Sequence, residues 1–436
     1  MKAVVTPARS LQGRLTVPGD KSISHRALLC GALARGRSEV IGCLESEDCL
    51  NTLRALEGLG VEATRKGAGH YFIHGVDLHG FLEPGNVLEC GNSGTTARLL
   101  LGILAGQPFT ALLNGDESLR RRPMNRVVDP LRSMGATVMG RQNGHRLPLA
   151  ILGRNPLRSI NYQLPVASAQ VKSSLLFAGL FADGPVTVEE PAQSRDHTER
   201  MLEAFGAALQ RHGLAVTIEP GRPLQGQTLK IPGDLSSAAF FLVAALIVPD
   251  SDVTIDSVGL NPTRAGLLDV LREMGGETAV TTYEEAGEPW GAVRLRSSQL
   301  RGVSVGGALI PRLIDEFPIL ALAAARADGV TEVRDAQELR VKESDRIRAL
   351  TEELGKLGAQ IEELEDGFRI RGGTKLNGAT VSSWGDHRMA MALITAGLVA
   401  EGQTVVEGIE CIQTSYPDFF EALRSLTGGP CVRLEP

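Results

Sequence analysis

Val17-Pro18-Gly19-Asp20-Lys21-Ser22 and Ile231-Pro232-Gly233-Asp234-Leu235-Ser236 are two versions of one phrase, and the chain restarts at the second. Each opens a long Ala/Leu-rich stretch, so the 436 residues read as two halves of the same design. The theme also recurs at finer grain. A polar tip opens an apolar helix, a small-residue turn closes it, and a β-branched run follows. The tips lie near Ser22, Ser93, Ser168, Ser236, Glu316 and Asp386, at intervals of 68 to 80 residues. Strands are predicted behind them over 39–42, 109–113, 186–190, 253–256, 330–333 and 404–407.

A second, amphipathic helix then runs to a glycine in every unit: Gly60, Gly135, Gly206, Gly275, Gly358 and Gly428. Glycine there is the expected left-handed stop. The first helices are apolar nearly all round, as in Ala238-Ala239-Phe240-Phe241-Leu242-Val243-Ala244-Ala245, which marks a helix buried inside a domain. Six α/β units in two sets of three imply an α/β fold of two similar lobes. With no low-complexity linker, Pro18-Gly19 and Pro232-Gly233 are the expected crossovers.

The length exceeds what one core supports. Hydrophobic residues at 43% and charged residues at 22% are those of an ordinary globular chain. A net charge of −6 argues against capture of nucleic acid, which needs a basic face. Six scattered cysteines with no CxxC pair read as reduced thiols of a cytosolic protein. The N-terminal residues lack the apolar stretch of a signal peptide, and the longest apolar run, 238–248, is about half a membrane span. A cytoplasmic protein that meets no membrane is expected.

Each helix N-terminus carries free N–H groups and about half a positive charge. If the first helices run parallel within a lobe, their tips share one face. Lys21, Ser22, Arg26, Asn92, Ser93, Thr95, Ser168, Gln170, Asp315, His387 and Arg388 sit at those tips. The loops before the second helices add Arg120-Arg121-Arg122, Ser194-Arg195, Asn261-Pro262-Thr263-Arg264 and Arg340-Val341-Lys342-Glu343. Ser, Thr, Asp and Asn at helix starts are usually plain caps, and an arginine run is often a solvated surface. Capping does not require Arg and Lys beside the caps, repeat after repeat. An acidic protein that concentrates cations at matching points of its repeats is built for a small polyanion. His25 and His387 lack metal-ligand spacing, so no metal is expected. Asp315 and Glu343, carboxylates among cations, are candidates for moving protons.

Gly19-Asp20-Lys21-Ser22 through Arg26, Gly91-Asn92-Ser93-Gly94-Thr95, Arg122-Pro123 and Ser168-Ala169-Gln170-Val171-Lys172 recur in order along the chain. Asp315-Glu316, Lys342-Glu343-Ser344-Asp345-Arg346 and Gly385-Asp386-His387-Arg388-Met389 complete the set. Together they resemble the 5-enolpyruvylshikimate-3-phosphate synthase family over the whole chain. The resemblance implies an inside-out α/β barrel in two lobes, each of three βαβαββ repeats with buried parallel helices. One lobe would span 19–232, and the other 1–18 plus 233–436. It implies a monomer without cofactor that joins phosphoenolpyruvate to shikimate 3-phosphate. Lys21, Ser22, Arg26, Ser168, Ala169, Gln170, Ser194, Arg195, Asp315 and Lys342 would hold shikimate 3-phosphate. Lys21, Asn92, Gly94, Arg122, Gln170, Arg346, Arg388 and Thr414 would hold phosphoenolpyruvate. Asp315 would take the proton of the attacking hydroxyl. Lys21, Glu343 and His387 would assist proton delivery and phosphate departure.

Thr414 departs from the pattern, since many members carry Lys at that point. The UDP-N-acetylglucosamine enolpyruvyl transferases share the repeats but usually carry Asn after the first Lys and a Cys in the loop before Arg-Pro. Here Ser22 follows Lys21, and the segment 116–122 contains no Cys. A six-repeat DNA clamp would need basic helix faces, whereas these faces are Ala/Leu-rich.

Overall fold

In a computed structural model that describes residues 1–283 and 287–436, the strands form six separate four-stranded sheets. All share one plan. An edge strand pairs in parallel with the strand that follows an apolar helix, and two antiparallel pairings complete the sheet. The second repeat shows it plainly. Leu88–Glu89 lies beside Thr110–Asn114, followed by Arg146–Leu152 and Thr137–Gly140. Among the described residues no sheet closes into a strand barrel; the apolar helices lie inside and the sheets cover them.

Three sheets are completed by strands from distant sequence. Thr228–Lys230 supplies the edge of the first repeat's sheet, beside Arg35–Ile41. Gln12–Thr16 does the same for the fourth, beside Asp252–Gly259. In the sixth, Lys2–Val5 sits between Thr404–Glu407 and Val432–Glu435. The chain accordingly divides into two compact units. One holds Gly19–Ile231, joined by Gly287 and Glu288; the other holds Met1–Pro18 and the rest of the chain from Pro232.

The six apolar helices are Lys21–Leu33, Gly94–Ala105, Ala169–Gly179, Leu235–Ile247, Phe317–Arg326 and His387–Gly397. All 13 residues of Leu235–Ile247 are buried. Ser93, Ser168 and Asp386 cap their helices with side-chain oxygens, at the expected tips. In the first and fourth repeats the caps are Asp20 and Asp234, two residues ahead of Ser22 and Ser236. Their carboxylates accept from the N–H groups of Ile23 at 2.9 Å and Ser236 at 2.7 Å. A carboxylate suits the positive end of a helix better than a hydroxyl does, so the helix begins one residue after the Asp.

The glycines that end the second helices all take the left-handed conformation, with φ between 61° at Gly428 and 106° at Gly135. A different constraint acts at Gly102, in the second apolar helix. A Cβ there would stand 2.1 Å from the carbonyl oxygen of Ser174 in the third, so glycine sets how closely those two helices approach. At Gly206, by contrast, a Cβ would meet nothing within 4 Å, and only its φ of +96° favours glycine.

These two positions predict opposite balances. Gly206→Ala should cost roughly 1–2 kcal/mol, the price of a side chain in the left-handed region. At Gly102, helix propensity favours Ala by about 1 kcal/mol, yet overpacking against Ser174, at the upper end of about 3 kcal/mol, should outweigh it, for a net loss of about 2 kcal/mol. Urea unfolding of both variants measures this. A Gly102→Ala protein as stable as the parent would show that the helix spacing is not set there.

Candidate active site

In the unit that holds Gly19–Ile231, the helix tips are tied to one another by side chains. Gln170, in the first turn of Ala169–Gly179, donates to the Thr95 hydroxyl at 2.9 Å and accepts from Arg98 at 2.7 Å. Arg98 also donates to the Pro123 carbonyl at 3.0 Å. It lies one helical turn past Gly94, so it shares the face of the tip; sequence reading passed over it. Spacing from the tip was the signal that could have found it. A Cβ on Gly94 would stand 2.6 Å from Arg98 Nη1 and 3.4 Å from Arg122 Nη1, so glycine leaves room for both guanidiniums.

Of the three consecutive arginines, Arg121 is exposed and pairs with Glu117, whereas Arg122 is buried. Arg122 donates to Asn92 Oδ1 at 2.7 Å, and Asn92 donates to Asp116 at 2.6 Å. Lys21 pairs with Asp48 at 3.0 Å, and the Asp48 carbonyl accepts from the Thr96 hydroxyl at 3.3 Å. Arg26 lies deeper. Its guanidinium donates to the Ser22 carbonyl at 2.8 Å, to Ser173 at 2.8 Å and to Thr198 at 2.5 Å. Burial brings its pKa down to about 10, against the upward pull of Glu199 and Asp20. Arg26 therefore ties three helices together beneath the tips.

Ser194 and Arg195 lie on the loop before His197–Ala204, with Ser194 buried and Arg195 half-buried. The Ser194 hydroxyl donates to Glu190. Behind this loop stands Lys172, whose ammonium meets Glu190 at 2.6 Å and Glu199 at 2.7 Å, every partner nearly devoid of exposed surface. It also donates to the Ser194 carbonyl at 3.5 Å. Burial would lower the Lys172 pKa, but Glu199 and Glu190 outweigh it and hold it above the ordinary value. Ser168 caps its helix, with Ala169 as the first helical residue. Ser22 stands in the first turn of Lys21–Leu33.

The second cluster belongs to the other unit, where the tips of the fourth, fifth and sixth apolar helices meet. Ser236 donates to the buried Glu316, and Arg388 lies 3.9 Å from that carboxylate. Arg388 also donates to the Asp315 carbonyl at 3.4 Å, with its other guanidinium nitrogen 3.7 Å from the Asp315 carboxylate. Arg346, with none of its side chain exposed, joins three acids: Asp386 at 2.8 Å, Glu343 at 2.7 Å and Asp315 at 3.4 Å. Burial opposes its charge, yet Asp386, Glu343 and Asp315 hold its pKa above the ordinary range. Burial alone would raise the pKa of Asp386; Arg346 reverses this and keeps it below the usual carboxylate value.

Asp315 is thus a carboxylate flanked by two guanidiniums, Arg346 and Arg388. Burial presses the pKa of Lys342 below that of a free lysine, with Asp315 pulling the other way. His387 opens the sixth helix, 3.3 Å from the Thr414 hydroxyl. Within each unit such an arrangement can bind anions, and in the second it can also accept and deliver protons. Among the described residues no three His, Cys, Asp or Glu side chains group as metal ligands.

Comparison with known proteins gives a consistent result. The family profile described as EPSP synthase (3-phosphoshikimate 1-carboxyvinyltransferase) matches residues 5–423. The chain is 52% identical to the 3-phosphoshikimate 1-carboxyvinyltransferase of Desulforamulus reducens, over 98% of this chain and 99% of that one. The protein of the same name from Desulforudis audaxviator is 54% identical, again over 98% and 99%. The solved EPSP synthase of Acinetobacter baumannii matches with a TM-score of 0.89 and 41% identity, covering 100% of both chains.

Lys172 offers a direct check on the first cluster. Lys172→Met leaves Glu190 and Glu199 buried without their cation, and breaking such a pair should cost about 3–5 kcal/mol in urea unfolding. Replacing both acids by Gln in the same background should recover most of that loss. A single variant that loses under about 1 kcal/mol would mean the triad is not held as described.

Proposed function

The chain belongs to the EPSP synthase family, and from that premise we propose that it transfers the enolpyruvyl group of phosphoenolpyruvate to the 5-hydroxyl of shikimate 3-phosphate. The observation that carries the mechanistic reading is Asp315. Among the described residues, Arg346 and Arg388 both approach it while a sixth of its side chain stays exposed, at 17%. A carboxylate in that setting can receive a proton and stay anchored.

In this reading, Lys21, Ser22, Arg26, Ser168, Ala169, Gln170, Ser194 and Arg195 grip shikimate 3-phosphate, with Lys342 adding a cation. Asn92, Gly94, Arg122, Arg346 and Arg388 grip phosphoenolpyruvate, sharing Lys21 and Gln170. Arg suits this task because its fork of donors matches carboxylate and phosphate oxygens. The 5-hydroxyl oxygen bonds to C2 of phosphoenolpyruvate as its proton passes to Asp315. A second proton, from Lys21, Glu343 or His387, goes to the methylene carbon and makes it a methyl. The tetrahedral adduct then returns a proton from that methyl to the residue that supplied it, the C2–O bond to phosphate breaks, and the phosphate leaves with the proton held by Asp315 as the enol ether separates. The pre-formed ion pairs mean that little reorganisation is left for the reaction itself. The enzyme would work as a monomer in the cytoplasm.

Phosphate release from phosphoenolpyruvate that depends on shikimate 3-phosphate tests the activity. Release that depends on UDP-N-acetylglucosamine instead would replace the proposed acceptor. Asp315→Asn should lower turnover by about 10²–10⁴-fold, the usual contribution of a general base, while shikimate 3-phosphate affinity stays within about tenfold. Near-normal turnover in that variant would remove Asp315 from the base role.

A further inference from the structure

We propose that Thr414 is a positioning residue that sets the tautomer of His387, keeping the ring proton on Nδ1 and leaving Nε2 as the atom that takes and gives a proton. The argument begins with one hydrogen. A threonine hydroxyl has a single proton to donate and two lone pairs to offer. Thr414 Oγ1 lies 2.7 Å from the Cys411 carbonyl oxygen, with donor geometry towards it. Two oxygens at that distance need a proton between them, so the Thr414 hydrogen is committed to Cys411. Toward His387 Nδ1, at 3.3 Å, the same oxygen can then only accept. The hydrogen on that line belongs to the imidazole. In the neutral ring, a proton on Nδ1 means a lone pair on Nε2.

The turn that carries Thr414 is fixed on both sides. Ile409–Thr414 is a short 3₁₀ helix, started by the left-handed Gly408 and continued by the Ser415 and Tyr416 N–H groups, which both donate to the Ile412 carbonyl. Ile412 and Tyr416 are buried, and the Tyr416 ring meets Phe241 edge-on at 6.0 Å and Phe419 at 5.7 Å. His387, itself buried, is the first residue of the helix His387–Gly397, whose cap Asp386 is clamped by Arg346. The backbone on both sides of the Thr414–His387 contact is therefore held in place. Thr414 thus presents to His387 a hydroxyl whose proton is already committed to Cys411.

The use of Nε2 in proton transfer rests on the proposed function; the tautomer does not, and the two are tested separately. Long-range ¹H–¹⁵N correlation on full-length protein with ¹⁵N-labelled histidine reports which ring nitrogen carries the proton. The His387 signal is assigned by its loss in His387→Gln. The measurement is made about two units above the ordinary imidazole pKa of about 6.5. Wild type and Thr414→Ser should show the proton on Nδ1, and Thr414→Val should show the other tautomer or a mixture. A wild-type ring protonated on Nε2, or a Thr414→Val ring unchanged from wild type, overturns the proposal; the wild-type spectrum decides even if the variant fails to fold. In kinetics, Thr414→Val should lower kcat about tenfold, less than the full 10²–10⁴-fold of acid–base assistance because some rings keep the productive form. The KM for shikimate 3-phosphate should stay within about twofold. A shifted tautomer with unchanged kcat would uphold the positioning by Thr414 and remove His387 from proton transfer.

Discussion

A helix that is apolar on every side can persist in water only inside a domain, and much of this structure follows from having six of them. Every residue of Leu235–Ile247 and of His387–Gly397 is buried, and in Phe317–Arg326 every residue but Arg326 is. Their backbone hydrogen bonds are satisfied internally except at the ends, so the ends are where polarity must be supplied. Each N-terminus therefore needs an oxygen in front of it and presents its dipole outward. The sheets cover the sides, one per repeat, and the strands borrowed from distant sequence finish the cover where a set of three repeats would otherwise lack one. A fold organised in this way leaves its helix tips as the natural place for anion chemistry.

The cations gathered there do not hang in solvent. Arg346 has three acids around it, Arg26 is bonded to a carbonyl and two hydroxyls, and Lys172 stands between Glu190 and Glu199. Removing such groups from water costs more than a simple attraction between two charges returns, so each is surrounded by several partners. What the protein gains is position. A guanidinium already locked in place needs no reordering when a phosphate or carboxylate arrives. The carboxylates differ in burial: Asp386 and Glu316, with no exposed side chain, face arginines, while Asp315 keeps 17% of its side chain exposed.

Reading the sequence reached the tips because periodicity and capping are local. The strand positions fell within a few residues of those observed, and every glycine expected to stop a second helix does so with positive φ. The caps at Asp20 and Asp234 lay two residues ahead of the serines that first drew notice, since propensity scales rank Ser and Asp alike and only geometry separates them. Arg98 went unnoticed because one arginine in an apolar helix looks like an ordinary polar position. Its meaning comes from Gln170, 72 residues away. Lys172 was read as part of a motif, and nothing local to it points to Glu190 or Glu199.

Repeat period and the placement of Pro-Gly, glycine stops and paired charges were enough to determine the class of fold and the number of repeats, and the ordered motifs pointed to the family by resemblance. These depend on intervals along the chain, which the residues themselves state. Which of three consecutive arginines turns inward, which acid is enclosed and which stays partly exposed, and where the Thr414 hydroxyl points were decided only by the folded structure. A side chain's protonation and direction depend on neighbours brought from other repeats, and hydrogen bonds form over about 3 Å in space, whatever the separation in sequence.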